Sequence, residues 1–509
     1  MPKGKVYIVG AGPGDAELIT IKALECLKEA DVVLYDRLAN NELLSNCRYE
    51  AELIFVGKAA GKHYVKQDDT IKIMTEKALA GKKVVRLKGG DPYVFGRGSE
   101  EALAMKEKNI DFEVIPGITA AIGASSYAGI PLTHRKMVTQ TIFITAHEAP
   151  GKDEGQVDWA KLAKLENTTL CIYMGVSKIK EVVKTLTDNG LSPEMPAAAV
   201  QNGTLTSQRI ISATLSELPG KIEEHNFKPP VLTIIGPTAA MSNSLSWFEN
   251  KTLFGKRIVS PRAQDQKQSL YKILTEKGAE VISFSVIKTD FSIPEKDIGE
   301  YLEKKYDWIV FTSENGVRYF FDIMFENGLD ARSLGNAKIA SIGSGTARKL
   351  REYSIIPDFI PSKFTSASLL EELNEFYDIK GNTFLRVKGD FTRDPLTDGL
   401  LEQKAKVDTI EVYKIMKDKP EQEIIDDLIK NGADAFLFTS ISTVNNFFSI
   451  LGNETALDLL NNGTPLAIGP VTAGALKEKG VNKIEEAGEH TIFGMAGKLE
   501  ELLGTKKPE

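Results

Sequence analysis

The residues best suited to chemistry lie in four loops, all within the first 135 positions of the chain. The run Val9-Gly10-Ala11-Gly12-Pro13-Gly14-Asp15 follows an apolar strand candidate, Val6-Tyr7-Ile8-Val9, and leads towards a helix. A strand, a glycine-rich turn and a helix make a cradle for a small ligand, because glycine lets other groups approach the backbone closely. The run departs from the dinucleotide fingerprint G-x-G-x-x-G. Asp15 stands where the third glycine belongs, and Pro13 lacks an N–H that a pyrophosphate would use. A second loop, Val85 to Gly98, holds Gly89, Gly90, Gly96 and Gly98, with Asp91 as an acceptor for an amine or hydroxyl. Ile115-Pro116-Gly117-Ile118-Thr119-Ala120-Ala121 and Ala128-Gly129-Ile130-Pro131-Leu132-Thr133-His134-Arg135 complete the set. Each segment alone reads equally well as a packing turn. Together, at the carboxyl ends of successive strands, they read as one ligand site for something other than a phosphate.

The elements that must carry these loops alternate in an α/β pattern. Strand candidates are 31–35, 83–87, 112–115, 141–144 and 170–173, and Ile21, Leu24 and Leu27 recur at helical spacing. The pattern predicts a largely parallel sheet. A segment rich in Gly, Asp and Glu (149–158) predicts a hinge between subdomains. The strands 197–200, 209–211 and 231–235 then form a second α/β unit. A fresh strand at Lys256-Arg257-Ile258-Val259 places a domain boundary near residue 252. Beyond it the chain repeats itself. Asp307-Trp308-Ile309-Val310-Phe311-Thr312-Ser313 parallels Asp434-Ala435-Phe436-Leu437-Phe438-Thr439-Ser440, and Phe320-Phe321 parallels Phe447-Phe448. Two copies predict two similar lobes with a ligand cleft between them.

Composition narrows the class. Apolar residues make up 42% of the 509 and charged residues 26%, as in folded soluble cores. No apolar run has the length of roughly 18 residues that a membrane helix requires. The net charge of −7 argues against nucleic acid as a partner. Cys26, Cys47 and Cys171 and the five scattered histidines lack metal-ligand spacing. The expectation is a cytoplasmic protein without a bound metal.

The four loops, with Tyr35-Asp36-Arg37, Val56-Gly57-Lys58, Tyr173-Met174-Gly175 and Asn202-Gly203-Thr204, resemble the S-adenosylmethionine-dependent tetrapyrrole methylases, specifically uroporphyrinogen-III C-methyltransferase. The likeness spans residues 4–248. The resemblance implies that Pro13, Gly89, Gly90, Asp91, Val94, Thr119, Ala120, Met174 and Gly203 bind the cofactor, S-adenosyl-L-methionine. It also implies that Asp36 accepts a proton and Lys58 donates one. For Lys58, binding a substrate carboxylate is an equal alternative; for Asp36 the alternative is an exposed strand-end carboxylate, and for Met174 a core filler. The implied substrate carries eight carboxylates, so cations must gather locally. Arg97 and Arg135 are the expected partners, since arginine binds carboxylates bidentately. Family members often carry glycine where this chain has Ala146, which narrows backbone approach there.

Residues 252–505 resemble uroporphyrinogen-III synthase. The likeness rests on Phe311-Thr312-Ser313-Glu314-Asn315-Gly316-Val317, on Ile342-Gly343 with Thr346-Ala347, and on Ile468-Gly469-Pro470-Val471-Thr472-Ala473. It implies two lobes (252–289 with 415–505, and 290–414) joined by a two-stranded connector at 281–288 and 409–415. Tyr413 is then a cleft tyrosine assisting loss of water, or else a packing residue. Ser313, Ser344, Thr346 and Thr472 are candidate donors to substrate carboxylates. The fold class expected is α/β, a two-subdomain methylase fold (about 1–148 and 149–250) followed by a two-lobed synthase fold (252–509). The implied function is cyclisation of hydroxymethylbilane to uroporphyrinogen III with inversion of the last ring, then double methylation to precorrin-2, which serves sirohaem or cobalamin biosynthesis. A homodimer through the methyltransferase half is expected. Three rivals remain open here: a nicotinamide oxidoreductase, a methyltransferase of a later corrin intermediate, and a non-catalytic second half.

Overall fold

The computed structural model describes residues 4–48, 50–57, 67–147, 156–261, 267–292, 294–363, 365–390, 395–417 and 419–504. Most of the expected hinge segment 149–158 lies outside the described residues. The chain divides into two compact units, one of Met1–Lys256 with Leu274–Glu280 and Glu500–Glu509, the other of Arg257–Ile273 with Val281–Leu499.

The first unit opens with β1 (Lys5–Gly10), β2 (Val32–Tyr35), β3 (Glu52–Phe55), β4 (Val84–Lys88) and β5 (Asp111–Ile115), in the order β3-β2-β4-β1-β5. Every pairing is parallel. The chain leaves β1 towards β2 on one side, and leaves β4 towards β5 on the other. A crevice therefore opens beyond the carboxyl ends of β1 and β4, where such sheets hold their ligands. The loops after these two strands are the first two glycine-rich segments. β3 is not among the strands expected from the sequence: it is a short edge strand, and three of its four residues are exposed. Helix Ile21–Glu29 buries Ala23 and Leu27, whereas Ile21 is 78% exposed. At about 100° per residue, the six steps from Ile21 to Leu27 leave the two about 120° apart, so they do not share the buried stripe.

The second sheet comprises β6 (Gln140–Thr145), β7 (Thr168–Tyr173), β8 (Pro196–Gln201), β9 (Arg209–Thr214) and β10 (Val231–Ile235), in the order β6-β7-β10-β8-β9. The two strands covered by the expected parallel arrangement, 141–144 and 170–173, are β6 and β7. Only β6 and β7 run parallel, and the other three pairings are antiparallel. The segment 202–208 between β8 and β9 is too short for a parallel crossover, which takes about a dozen residues or more. Helix Ala120–Tyr127 comes from the third loop, yet it packs on this second sheet. Its Ala121 and Ala124 share a core with Cys171, Ala198, Val200, Leu232 and Ile234.

The second unit holds two sheets built from β11 (Arg257–Ser260), β12 (Glu280–Ser283), β13 (Ile287–Phe291), β14 (Trp308–Phe311), β15 (Lys338–Ser341), β16 (Thr383–Gly389), β17 (Lys406–Lys417), β18 (Ala435–Phe438), β19 (Thr464–Ala467) and β20 (Glu485–Glu486). Their orders are β12-β11-β18-β19-β20 and β13-β17-β16-β14-β15. The repeat becomes two matching parallel pairs, β14 with β15 and β18 with β19. Phe320, Phe321, Phe447 and Phe448 fill the cores beneath them. Segment 281–288 is not one connector strand. Its first part lies in β12, and pairing with β17 begins only at Ile287, antiparallel, with Phe291 opposite Tyr413.

Candidate active site

At the mouth of β1 and β4 the loops are tied to each other by backbone. Ala11 N–H donates to Lys88 O at 2.7 Å, and Gly12 and Gly90 exchange hydrogen bonds of 3.2 and 2.7 Å. The expectation is that these glycines admit a ligand. Several instead admit one another. A Cβ on Gly117 would sit 2.3 Å from Gly90 O, and one on Gly10 would sit 2.6 Å from Gly117 Cα. A Cβ on Gly123 would sit 2.4 Å from Pro13 Cγ, one on Gly203 2.3 Å from Ala124 Cβ, and one on Gly89 2.6 Å from Leu38 Cβ. These contacts seat Pro13 and Gly203 on helix Ala120–Tyr127, which Thr119 and Ala120 begin, while Gly89 packs on Leu38. Gly90 differs from the rest. A Cβ there would lie 3.8 Å from Thr119 Cα and 3.9 Å from Ala120 N, at ordinary contact distance from the third loop, and Gly90 itself is left-handed at φ +68°.

Asp91 clamps the floor of that space. One carboxylate oxygen accepts from Tyr93 N–H at 2.8 Å and the other from Gly117 N–H at 3.0 Å. Val94 N–H closes the same turn onto Asp91 O. On the far wall Tyr173 Oη lies 2.6 Å from Thr119 Oγ1 and accepts from Ala121 N–H at 2.8 Å. Burial pushes this phenol above its usual range. Met174 follows at φ +54°, a left-handed conformation that is strained for a side chain, and is 49% exposed. It is therefore no core filler. Asp15, where the fingerprint requires glycine, is a latch. Its N–H donates to Thr204 Oγ1 at 2.9 Å and its carboxylate accepts from Tyr127 Oη at 2.7 Å. Ala146 is buried, in the core beneath the second sheet.

Asp36 lies just beyond β2, at the rim. Its Oδ2 accepts from Arg86 Nη2 at 2.9 Å and its Oδ1 from Leu38 N–H at 3.0 Å, and its side chain is 25% exposed. Arg86 leads inwards. Its Nε donates to Glu101 Oε1 at 3.2 Å, and the same oxygen accepts from Lys88 Nζ at 3.0 Å and from Gln67 Nε2 at 3.0 Å. Burial, followed by the neighbouring Arg86, holds the Lys88 ammonium below its ordinary range. The expected carboxylate partners, Arg97 and Arg135, lie outside this network, and none of Arg86, Lys88 and Glu101 is among the sequence-expected site residues. Two cations in and beside the central apolar run Val84–Leu87 are the signal available, since buried charges require partners. Lys58 lies outside the described residues. Arg97 is paired bidentately with exposed Glu100, at 2.9 and 2.7 Å. Arg135 is exposed in the turn closed by the His134–Val138 bridge. No group of three metal-ligating side chains occurs among the described residues.

In the second unit Tyr413 is 3% exposed, with its ring parallel to Tyr319 at 5.7 Å. Its hydroxyl lies 3.2 Å from Ser313 Oγ, and burial raises its pKa, so it stays protonated at neutral pH. Ser313 is less deeply buried and caps helix Glu314–Glu326 by accepting from Gly316 N–H. Of the other hydroxyl candidates, Thr346 and Thr472 are each 4% exposed, within their helices, while Ser344 is exposed.

Residues 5–219 match the family Tetrapyrrole (Corrin/Porphyrin) Methylases, and residues 250–497 match Uroporphyrinogen-III synthase HemD. The Porphyrin biosynthesis protein HemD of Ruminiclostridium josui is 37% identical over 508 residues, covering 99% of each chain. The Uroporphyrinogen-III C-methyltransferase of Methanocaldococcus jannaschii is 51% identical over 242 residues, 47% of this chain and 99% of that protein. A solved structure of uroporphyrin-III C-methyl transferase from Thermus thermophilus, complexed with S-adenosyl homocysteine, is 37% identical and covers 46% of this chain and 93% of that one, with a TM-score of 0.39.

Proposed function

The chain belongs to the tetrapyrrole methylases through its first half and to the uroporphyrinogen-III synthases through its second, and from this we propose a bifunctional enzyme of tetrapyrrole biosynthesis. The second half cyclises hydroxymethylbilane to uroporphyrinogen III, inverting the last ring. The first half methylates that product twice to precorrin-2.

The observation that carries the methyltransferase reading is the crevice beyond β1 and β4, with Asp36 held at its rim. The residues suit S-adenosyl-L-methionine. Gly90 faces the Thr119–Ala120 backbone at ordinary contact distance, Tyr173 braces Thr119, and half-exposed Met174 follows that tyrosine. Such walls favour a flat apolar base and a zwitterionic tail over a phosphate. Pro13, Gly89, Gly90, Asp91, Val94, Thr119, Ala120, Met174 and Gly203 would hold it. When bound, the cofactor supplies an electrophilic methyl group. Asp36 then takes the proton that the methylated ring carbon must lose. Arg86 and Leu38 N–H fix the orientation of that carboxylate. Lys58, Arg97 and Arg135 belong to the same reading, as proton donor or carboxylate partner and as two further carboxylate partners. Arg97 must first release Glu100.

In the second half the proposed acid is Tyr413, acting through Ser313, which carries the exposure that the phenol lacks. The proposed boundaries are 1–250 and 252–509. Among the described residues no helix is long and apolar enough to cross a membrane. A cytoplasmic homodimer joined through the first half completes the reading, and sedimentation of the full chain tests the dimer. The decisive experiment is anaerobic incubation of the whole protein with hydroxymethylbilane and S-adenosylmethionine, followed by mass measurement and chromatographic separation of the ring isomers. The expected product is cyclised and carries two added methyl groups. A product that stays unmethylated, or only the non-inverted isomer, refutes the corresponding half.

A further inference from the structure

Two cations lie in the middle of a parallel sheet. Arg86 and Lys88 are two apart on β4, so they point to the same face, and each side chain is 6% exposed. Glu101, on helix Gly98–Glu107, is wholly buried between them. One of its oxygens takes three donors, and the other, Oε2, has no partner among the described residues. Buried ion pairs of this kind are rarely kept for stability, because apolar side chains of similar size serve as well or better. This network reaches solvent at one end, at Asp36. Among the described residues the groups facing that carboxylate are Arg86 and Lys88 from β4 and Glu101 behind them, with exposed Arg37 beside it in the chain.

We infer that Arg86, Lys88 and Glu101 are positioning residues whose summed charge sets how readily Asp36 takes up the proton during methyl transfer. This rests on the reading of Asp36 as the proton acceptor. Arg86, bonded to Asp36, places a positive charge against the carboxylate. Glu101 offsets that cation, and Lys88 offsets Glu101. Asp36 therefore faces two positive charges and one negative. Removing Lys88 leaves the Arg86 bonds to Asp36 and Glu101 in place and lowers the positive charge that Asp36 faces. Removing Lys88 and Glu101 together restores that charge. The sign of each effect follows from electrostatics, whereas damage to packing would accumulate in the double variant.

The test is the pH–rate profile of methyl transfer to uroporphyrinogen III by the full-length protein, with S-adenosylmethionine saturating and thermal melts confirming folding. Lys88→Met should move the acid limb to higher pH by about half a unit. Lys88→Met with Glu101→Gln should return it to within about 0.2 units of the parent. A limb that stays put in Lys88→Met, or moves further in the double variant, overturns the inference. Asp36→Asn, run alongside, separates the two levels. If it methylates at the parent rate, the reading of Asp36 itself is wrong. If it is inactive while the Lys88 variant shows no shift, only the charge-balancing role is lost.

Discussion

The two halves arrange their candidate polar groups differently, although each buries a strand arginine, Arg86 in one and Arg386 in the other. In the first, charge is drawn into the fold: Asp36, Arg86, Glu101 and Lys88 form one network, three of its members almost fully buried. Around it, loops meet backbone to backbone through glycines. In the second, the candidate site is a pair of hydroxyls, Ser313 and Tyr413, beside aromatic cores. The lesson concerns constraint. A carboxylate tied to buried cations needs fixed partners, and loops that touch backbone to backbone tolerate no side chain. A cleft lined by helix caps and hydroxyls can vary its side chains while its backbone donors remain.

The contrast is broken most directly at Gly117. Gly117→Ala puts a methyl 2.3 Å from Gly90 O, where only backbone can yield. Overpacking of this kind costs about 1–3 kcal/mol or more. Cofactor binding, read by calorimetry, should vanish while inverted ring closure continues; retained binding would show that the glycine contacts are dispensable. Next in size is Asp36→Asn. Methyl transfer should drop about a hundredfold or more with cofactor affinity intact. An equal loss of affinity would mean that the carboxylate binds rather than accepts a proton. Tyr413→Phe should lower formation of the inverted ring about tenfold and leave methylation alone. If its rate matches the parent, the tyrosine only packs, and the second half loses its proposed acid. The smallest effect is expected at Met174. Glycine relieves its left-handed strain, so the melting temperature should rise, by about 1 kcal/mol of stability. Cofactor affinity should weaken a few-fold; a gain in both would remove Met174 from the site.

Much of this architecture is legible in the amino-acid sequence. The first three glycine runs, the strands that precede them and the repeat around Phe311 and Phe438 are local patterns that survive, whereas the fourth run, Ala128–Arg135, follows helix Ala120–Tyr127 and not a strand. The second sheet is less legible, because strand direction depends on connection length and partner choice, and short runs such as 209–211 carry neither. Ile21 reads as apolar and is exposed, since spacing by threes drifts around a helix. The glycines read as room for a ligand, yet Gly10, Gly90 and Gly117 make room for each other, and Gly89, Gly96 and Gly98 make room for Leu38 and Pro92.

What the sequence settled by itself is the order of elements and the loops that carry chemistry, because steric demands on glycine, proline and apolar periodicity act over a few neighbouring residues. Only the tertiary structure could decide that Glu101 sits behind Asp36 through Arg86, or that helix Ala120–Tyr127 deserts the first sheet for the second. Those pairings join residues far apart in the chain. They exist because buried charge must find a partner and small side chains permit close packing, wherever in the sequence the partner happens to lie.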